Sequence, residues 1–220
     1  RNIALGYMME LQKPEVQELC LNQMKNSNNM PACIAALSAL ANTECPQRYT
    51  ALEWFYKKWH SEQLVIDKWF SVQATSTLPG TLTNVKELMK HPEFDIKNPN
   101  RVRSLIGAFC QGNHAYFNAA DGSGYHFAAE QICLIDPINS QIAARLARAF
   151  DRWKQFGEQH QSHAKEALLR IKTAANLAKD TMEVVARALL RKFSGSTSGK
   201  KLTYRLSTPP PLLLHLLQYY

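Results

Sequence analysis

The sequence predicts an all-α protein, and three observations lead to that fold class. Apolar residues recur every three to four positions along most of the chain, whereas the polar-apolar alternation typical of β-strands is rare. Start and stop signals divide the chain into about a dozen short helices, joined by loops of roughly two to eight residues. Glycine and proline number only 9 and 10 in 220 residues, which disfavours sandwiches, barrels and collagen-like folds.

Two all-α architectures fit this pattern. One is a compact helical bundle, and the other is an α-solenoid, a superhelix of stacked antiparallel helix pairs of the HEAT or armadillo kind. The number of helices and their regular pairing favour the α-solenoid. Because sequence identity between the repeats is weak, the pattern alone leaves the bundle open.

Proline or a capping residue stands at most of the helix starts in the first ninety residues. The predicted helices are residues 2–12, which continue a helix begun upstream; Pro14 to Lys25; Met30 to Ala41, capped by Asn29; one opened by Pro46 with Leu52, Trp54, Phe55, Tyr56 and Trp59; one through Val65, Ile66, Trp69 and Phe70; and one to Lys90, capped by Thr81 or Thr83 after a Pro79-Gly80 turn. The helical spacing of these aromatic residues assigns them to the core rather than to a ligand site.

The second half continues in the same way. The predicted helices are one opened by Asn98-Pro99, with Val102, Leu105, Ile106 and Phe109 on one face; a short one at 114–120; 125–134 after a tight loop at Asp121-Gly122-Ser123-Gly124; one capped by Asp136, opened by Pro137 and ending near Phe156-Gly157; 160–178; and 180–192, capped by Asp180. We therefore expect one helical domain over residues 1–192.

Residues 193–220 differ from this pattern. They combine a Ser/Gly-rich stretch, a basic pair at Lys200-Lys201 and three consecutive prolines, which indicates a linker-like tail that is disordered or foreign to the native protein. Residues 191–220 also hold five basic residues and no acidic one, whereas the whole chain has a net charge of +8. The excess charge is thus largely a property of the tail, and we expect no nucleic-acid binding.

The five cysteines, Cys20, Cys33, Cys45, Cys110 and Cys133, show no CxxC or zinc-finger spacing. Most lie in apolar helical patterns, which predicts buried free thiols in a reducing compartment, and hence a cytoplasmic protein. No run of 18 apolar residues occurs, so we expect no membrane span. The chain begins with Arg1 inside a helical pattern and shows no leader, so we expect a fragment of a longer protein.

Few residues suggest chemistry. The sequence contains no GxSxG, no glycine-rich phosphate loop and no HExxH. His160 and His163 lie three apart, but without an obvious third ligand a solvated helix face is the favoured interpretation. His114 and His126 flank the loop at 121–124, which is more simply a turn than a substrate loop.

Two arginines stand where a helix disfavours them. Arg101 and Arg103 fall in the first turn of the helix opened by Pro99, where a cation opposes the helix dipole by about 0.3–1 kcal/mol. Such a placement indicates a carboxylate partner in a salt bridge or a functional site, and the sequence leaves both open.

Four ordered stretches resemble the aminopeptidase N (alanyl aminopeptidase) family of zinc metallopeptidases, in its bacterial and protozoan branch. These are Asn28-Asn-Met-Pro-Ala-Cys-Ile-Ala-Ala-Leu-Ser-Ala-Leu40, Leu64-Val-Ile-Asp-Lys-Trp-Phe-Ser-Val-Gln-Ala-Thr-Ser76, Asn98-Pro-Asn-Arg-Val-Arg-Ser-Leu-Ile-Gly-Ala-Phe109 and Asp121-Gly-Ser-Gly-Tyr125. The resemblance covers about residues 1–190. It implies the C-terminal helical domain of such an enzyme, a superhelix that closes over the active site.

The resemblance also implies that the catalytic machinery lies upstream, in a thermolysin-like domain with HExxH, a GxMEN loop and a tyrosine. Because this chain has neither HExxH nor GxMEN, we expect no catalytic residue, no metal ligand and no cofactor here, and zinc in the parent enzyme. The implied partners are the upstream domains of the same polypeptide and small peptide substrates. The alternative is a free-standing HEAT-like scaffold for protein interactions.

By resemblance, Arg103, Gln141 and Arg145 match positions that line the substrate chamber of the family. Gln141 and Arg145 are four residues apart and therefore share one face of a helix. On a helical wheel Arg148 and Arg152 continue the border of that face. Arginine suits a substrate carboxylate because its planar fork binds it through two hydrogen bonds.

Overall fold

The computed structural model describes residues 2–190, and 73% of them are helical. The helices are α1 (Asn2–Met9), α2 (Pro14–Lys25), α3 (Met30–Ala41), α4 (Pro46–Trp59), α5 (Gln63–Ala74), α6 (Thr81–Leu88), α7 (Pro99–Val102), α8 (Ala108–Gly112), α9 (His114–Phe117), α10 (Ser123–Ile135), α11 (Ser140–Ala147), α12 (Glu158–Lys172) and α13 (Lys179–Leu190). A π-helical segment, Arg103–Gly107, joins α7 to α8, and two 3₁₀ turns, Arg148–Phe150 and Trp153–Gln155, follow α11.

Residues 2–190 contain no β-strand, and none of their helices is long and apolar enough to cross a membrane. The predicted tail at 193–220 lies outside the described residues.

The helices stack as pairs, which confirms the predicted α-solenoid. In the first half α2 packs against α3 and α4 against α5, while α2 also contacts α4 and α3 contacts α5. In the second half α10 packs against α11 and α12 against α13, while α10 contacts α12 and α11 contacts α13. Each pair therefore lies on the next pair, as in HEAT and armadillo repeats.

The hydrophobic core is continuous from Leu5 to Ala188. Phe55 and Phe70 are fully buried, and Trp69 donates its indole N–H to the Leu52 carbonyl at 3.0 Å. The aromatic series of α4 and α5 thus belongs to the core, as predicted, where each fully buried large apolar side chain contributes about 1.5–3 kcal/mol.

Local capping signals place several helix starts where the sequence predicts them. The Asn29 side chain accepts the Ala32 amide at 2.9 Å, and Pro31 occupies the first turn of α3. The Asn98 side chain accepts the Asn100 amide at 2.9 Å at the start of α7. These contacts lie within three residues, so the sequence alone suffices to find them.

Two glycines in the left-handed region precede helices, and each changes a predicted start. Gly80 (φ 79°) precedes α6, so the prediction that Thr81 or Thr83 caps this helix is wrong. The Thr81 hydroxyl instead donates to two carbonyls of the preceding loop, at 3.1 and 2.7 Å. Gly122 (φ 74°) precedes α10, which begins at Ser123 rather than at residue 125.

The predicted helix start at Asp136-Pro137 is also wrong. Helix α10 ends just before Asp136, and α11 begins at Ser140. Its cap is Asn139, whose side chain accepts the Ile142 amide at 3.2 Å. The Asp136 carboxylate instead accepts the Ala178 amide at 2.8 Å and the Thr181 hydroxyl, and so caps a distant helix, α13.

Two further differences from the predicted helices lie near the end of the domain. Helix α12 ends at Lys172 rather than at residue 178, and Asn176 takes a left-handed conformation (φ 58°) in the turn that follows. The cap of α13 is Asp136, from the turn after α10, and not Asp180, which lies exposed in the first turn.

Candidate functional site

A shallow groove of about 130 Å³ separates the π-helical segment and α8 from α11. Arg103, Gly107 and Gln111 form one wall. Ile142, Arg145 and Leu146 form the other wall. Two of the three residues matched to the chamber of the family, Arg103 and Arg145, therefore face the same space from different helices.

The π-helical segment shapes the first wall. It is bonded i→i+5 rather than i→i+4, and such segments occur often at functional sites. Gly107 belongs to this wall, and a Cβ there would lie 3.8 Å from the Leu146 side chain across the groove, an ordinary van der Waals contact. The apolar pattern of 3.6 residues does not predict this segment.

The Arg103 guanidinium is exposed and held in place by its own helix. Its Nε donates to the Pro99 carbonyl at 3.1 Å, and its Nη2 donates to the Asn100 side chain at 2.7 Å. Both partners are neutral, so the positive charge stays available to a ligand.

The second wall carries Arg145 and Gln141, which are one turn apart and exposed. Gln141 lies beside the groove rather than in its lining. Gln111 joins the two walls, since its amide donates to the Arg145 carbonyl at 2.9 Å. Within residues 2–190, neither a carboxylate lining the groove nor a hydrogen-bond acceptor for the Arg145 guanidinium is found.

This arrangement suits an anion or a row of carbonyl oxygens. Two guanidinium groups supply positive charge and donors at the groove, the Gln111 and Gln141 amides add both donors and acceptors, and none of the six lining residues is acidic. A carboxylate would be bound by an arginine fork, and the volume admits a small group rather than a whole peptide.

The predicted continuation of this surface through Arg148 and Arg152 is wrong. Helix α11 ends at Ala147 and is followed by 3₁₀ turns, so the wheel of 3.6 residues per turn no longer applies. Arg148 lines a different cavity, against α13.

Arg101, the other arginine that the sequence places in a first helical turn, has a structural role. Its side chain is 2% exposed and pairs with the carboxylates of Asp67 and Glu93. Of the two interpretations left open by the sequence, the salt bridge holds for Arg101, while Arg103 reaches the groove.

The two histidines three apart on α12, His160 and His163, have different neighbours. His160 packs against the Phe156 ring, with centroids 6.0 Å apart. His163 instead lies near His126 of α10 and Glu166 of α12, and one ligand atom from each of the three lies within 4.8 Å of the others. Sequence reasoning missed His126 and Glu166 as partners; the i,i+3 spacing of His163 and Glu166 was the available signal.

The cysteine thiols form no disulfide and most of them are buried, as predicted. All five cysteines are unpaired; four are buried and Cys133 is half-buried. Burial raises the pKa of Cys20 and Cys110 to about 12, so these thiols stay protonated at neutral pH.

Comparison with known proteins identifies a family that this chain matches. Residues 1–190 match a family described as a domain of unknown function (DUF3458_C) with ARM repeats. The aminopeptidase N of Escherichia coli (strain K12) is 38% identical over 189 residues, and that of Haemophilus influenzae is 37% identical over 189 residues. Each alignment covers 86% of this chain and 22% of the relative.

A solved structure of an aminopeptidase is also similar to this chain. Aminopeptidase A of Legionella pneumophila, in complex with aspartic acid, is similar with a TM-score of 0.79 and 29% identity. The match covers 86% of this chain and 22% of that chain. The chain therefore spans about a fifth of the length of the relatives that it matches.

Proposed function

Because the chain belongs to the DUF3458_C family of ARM-repeat domains, the C-terminal helical domain of aminopeptidase N, we propose that it forms one wall of the peptide chamber of a zinc aminopeptidase. In this function it limits access to the chamber, excludes bulk water and contributes Arg103, Gln141 and Arg145 to substrate binding. A chamber closed by a helical domain admits small peptides and rejects folded proteins.

The groove between Arg103 and Arg145 is the observation that carries this proposal. Its walls present two exposed guanidinium groups that no lining carboxylate of residues 2–190 neutralises. Binding there uses a fork of donors, which favours the C-terminal carboxylate, the carbonyl oxygens or an acidic side chain of a peptide. The Legionella relative was solved with aspartic acid, an acidic amino acid.

The catalytic zinc implied by the family does not fit this chain. The sequence has no HExxH, so the two histidines one helical turn apart and the adjacent glutamate base are missing. The residues of this domain bind and orient the substrate, and the step at zinc belongs to the parent enzyme.

Helix α1 supplies a surface for the upstream domains of the same polypeptide. Ile3 and Tyr7 lie one turn apart on α1 and are 78% and 76% exposed, and Leu11 follows at 59%. Two large apolar side chains exposed one turn apart on α1, with exposed Leu11 in the turn that follows, are typical of an interface. We assign it to contact with another part of a longer polypeptide, because the chain covers only 22% of the length of its aminopeptidase N relatives.

We expect the isolated 220-residue chain to have no aminopeptidase activity, with or without added zinc, because it lacks the HExxH ligands and base. The measurement is hydrolysis of an aminoacyl arylamide, with the full-length parent enzyme as the positive control. Turnover by the purified chain that a chelator abolishes would contradict this assignment.

In the full-length enzyme we expect Arg145→Ala to raise the KM for short peptides about tenfold, because a charge-assisted hydrogen bond contributes about 1.5–3 kcal/mol. Gln141→Ala should act in the same direction but less. Since both residues are exposed, the melting temperature should change by less than about 2 °C.

The design of the substrates separates the possible contacts. If Arg145 binds the terminal carboxylate, the effect should vanish with C-terminally amidated peptides; if it binds peptide carbonyls, both substrates should suffer equally. Arg170→Ala, an exposed arginine on α12, is the matched control. A lower melting temperature with unchanged kinetics on both substrates would refute the chamber role.

A further inference from the structure

We propose that His126, His163 and Glu166 bind a divalent transition-metal ion of the zinc type, which links α10 to α12. This site is separate from the catalytic zinc of the parent enzyme and independent of the groove at Arg145. It departs from the expectation, drawn from the sequence, that the chain carries no metal ligand.

The ligand atoms come from two helices that pack against each other. His126 belongs to α10, whereas His163 and Glu166 lie three apart on one face of α12. One ligand atom from each residue lies within 4.8 Å of the others, and the two rings stand at 77° with centroids 5.9 Å apart. Ligands of tetrahedral zinc stand about 3.4 Å apart, so modest side-chain rotation closes the site.

The loop before α10 restrains His163. A Cβ on Gly122 would lie 2.5 Å from the His163 Cγ, which shows how closely the loop backbone approaches the ring. The Gln159 amide donates to the Ala120 carbonyl at 3.0 Å and so fastens α12 to the same loop. A ligand whose orientation is restrained by its neighbours loses less freedom on binding a metal.

Charge and access also favour a cation. Asp121, in the loop before α10, interacts with His163 and adds a carboxylate beside the cluster. Glu166 is exposed and both histidines are half-buried, which leaves a path from solvent and room for a water ligand.

The donor set selects the type of ion. Two imidazoles and one carboxylate suit Zn²⁺, Co²⁺, Ni²⁺ or Cu²⁺, whereas Mg²⁺ and Ca²⁺ prefer oxygen ligands alone. Cys20 and Cys110 do not compete in the folded chain, because burial keeps these thiols protonated.

The test is titration of the untagged 220-residue chain with Zn²⁺ by calorimetry and with Co²⁺ by visible absorption. We expect one ion per chain, a ligand-field band with Co²⁺, and no response to Mg²⁺. Zinc at a hundredfold excess over its dissociation constant should raise the melting temperature by about 5 °C.

Variants assign the ion to these ligands. His126→Gln, His163→Gln and Glu166→Gln should each weaken zinc binding at least tenfold. His160→Gln is the matched control and should leave it within twofold, since His160 packs on Phe156 away from the cluster. Glu166→Gln alters an exposed residue, and circular dichroism checks that every variant remains helical.

The proposal is overturned if the wild-type chain binds no zinc, or if folded His126→Gln and Glu166→Gln bind as tightly as wild type. A loss of binding in His160→Gln together with normal binding in His126→Gln would place the ion on the His160–His163 pair and would equally refute it. None of these outcomes depends on the peptidase chamber.

Discussion

Arg101→Met is expected to lower the free energy of unfolding by about 3–5 kcal/mol, because it leaves two partly buried carboxylates without their cation. The Arg101 side chain is 2% exposed, and those of Asp67 and Glu93 are 17% and 26% exposed. The same guanidinium donates to the Glu93 carbonyl at 2.8 Å and to the Gln63 carbonyl at 3.0 Å.

This network outweighs the unfavourable position of Arg101 in the helix. A cation in the first turn costs about 0.3–1 kcal/mol, several times less than the expected loss. Urea and thermal denaturation of the 220-residue chain measure the effect, and the melting temperature should fall by roughly 10 °C.

Arg103→Met is the matched control, two residues away in the π-helical segment that continues α7. Its exposed side chain bonds only to Pro99 and Asn100, so its removal should change stability by less than about 0.5 kcal/mol. Equal losses in the two variants would contradict the assignment of Arg101 to structure and of Arg103 to the groove.

Gly124→Ala is expected to destabilise the chain by about 1–3 kcal/mol or more through overpacking. A Cβ at Gly124 would lie 2.4 Å from the Phe117 carbonyl oxygen and 2.6 Å from the Tyr116 carbonyl oxygen. These atoms belong to the backbone of α9, which cannot move aside like the end of a flexible side chain, so α9 and α10 must separate.

Gly157→Ala provides the comparison for Gly124. No atom lies within 4 Å of a Cβ built at Gly157, and its φ of −66° suits any residue. Chemical denaturation should show little change, or a small gain from the lower entropy of the unfolded chain. If Gly124→Ala were equally harmless, the close approach of α9 to α10 would be wrong.

The sequence alone was sufficient for the fold class and for many helix starts. Pro14 and Pro46 stand at the first position of their helices, and Asn29 and Asn98 cap theirs, as predicted. Such signals act over one to three residues, and the apolar period recurs along each helix. Local chemistry therefore determined where these helices begin and which faces are buried.

The sequence predicted only some of the residues of the groove. The four-residue spacing of Gln141 and Arg145 put them on one helix face, and the family resemblance added Arg103. That Gln111 and Gly107 complete the groove depends on how α11 packs on the π-helical segment, which a 3.6-residue pattern does not encode.

Only the tertiary structure decided the contacts between residues distant in the chain. Arg101 meets Asp67 from 34 positions away, Asp136 caps a helix 42 positions further on, and His163 faces His126 rather than the neighbouring His160. A hydrogen bond or a metal ligand set requires partners within a few ångströms, whatever their separation in sequence. The stacking of helix pairs sets those distances, and so the sequence determined the helices while the packing selected which polar residues act together.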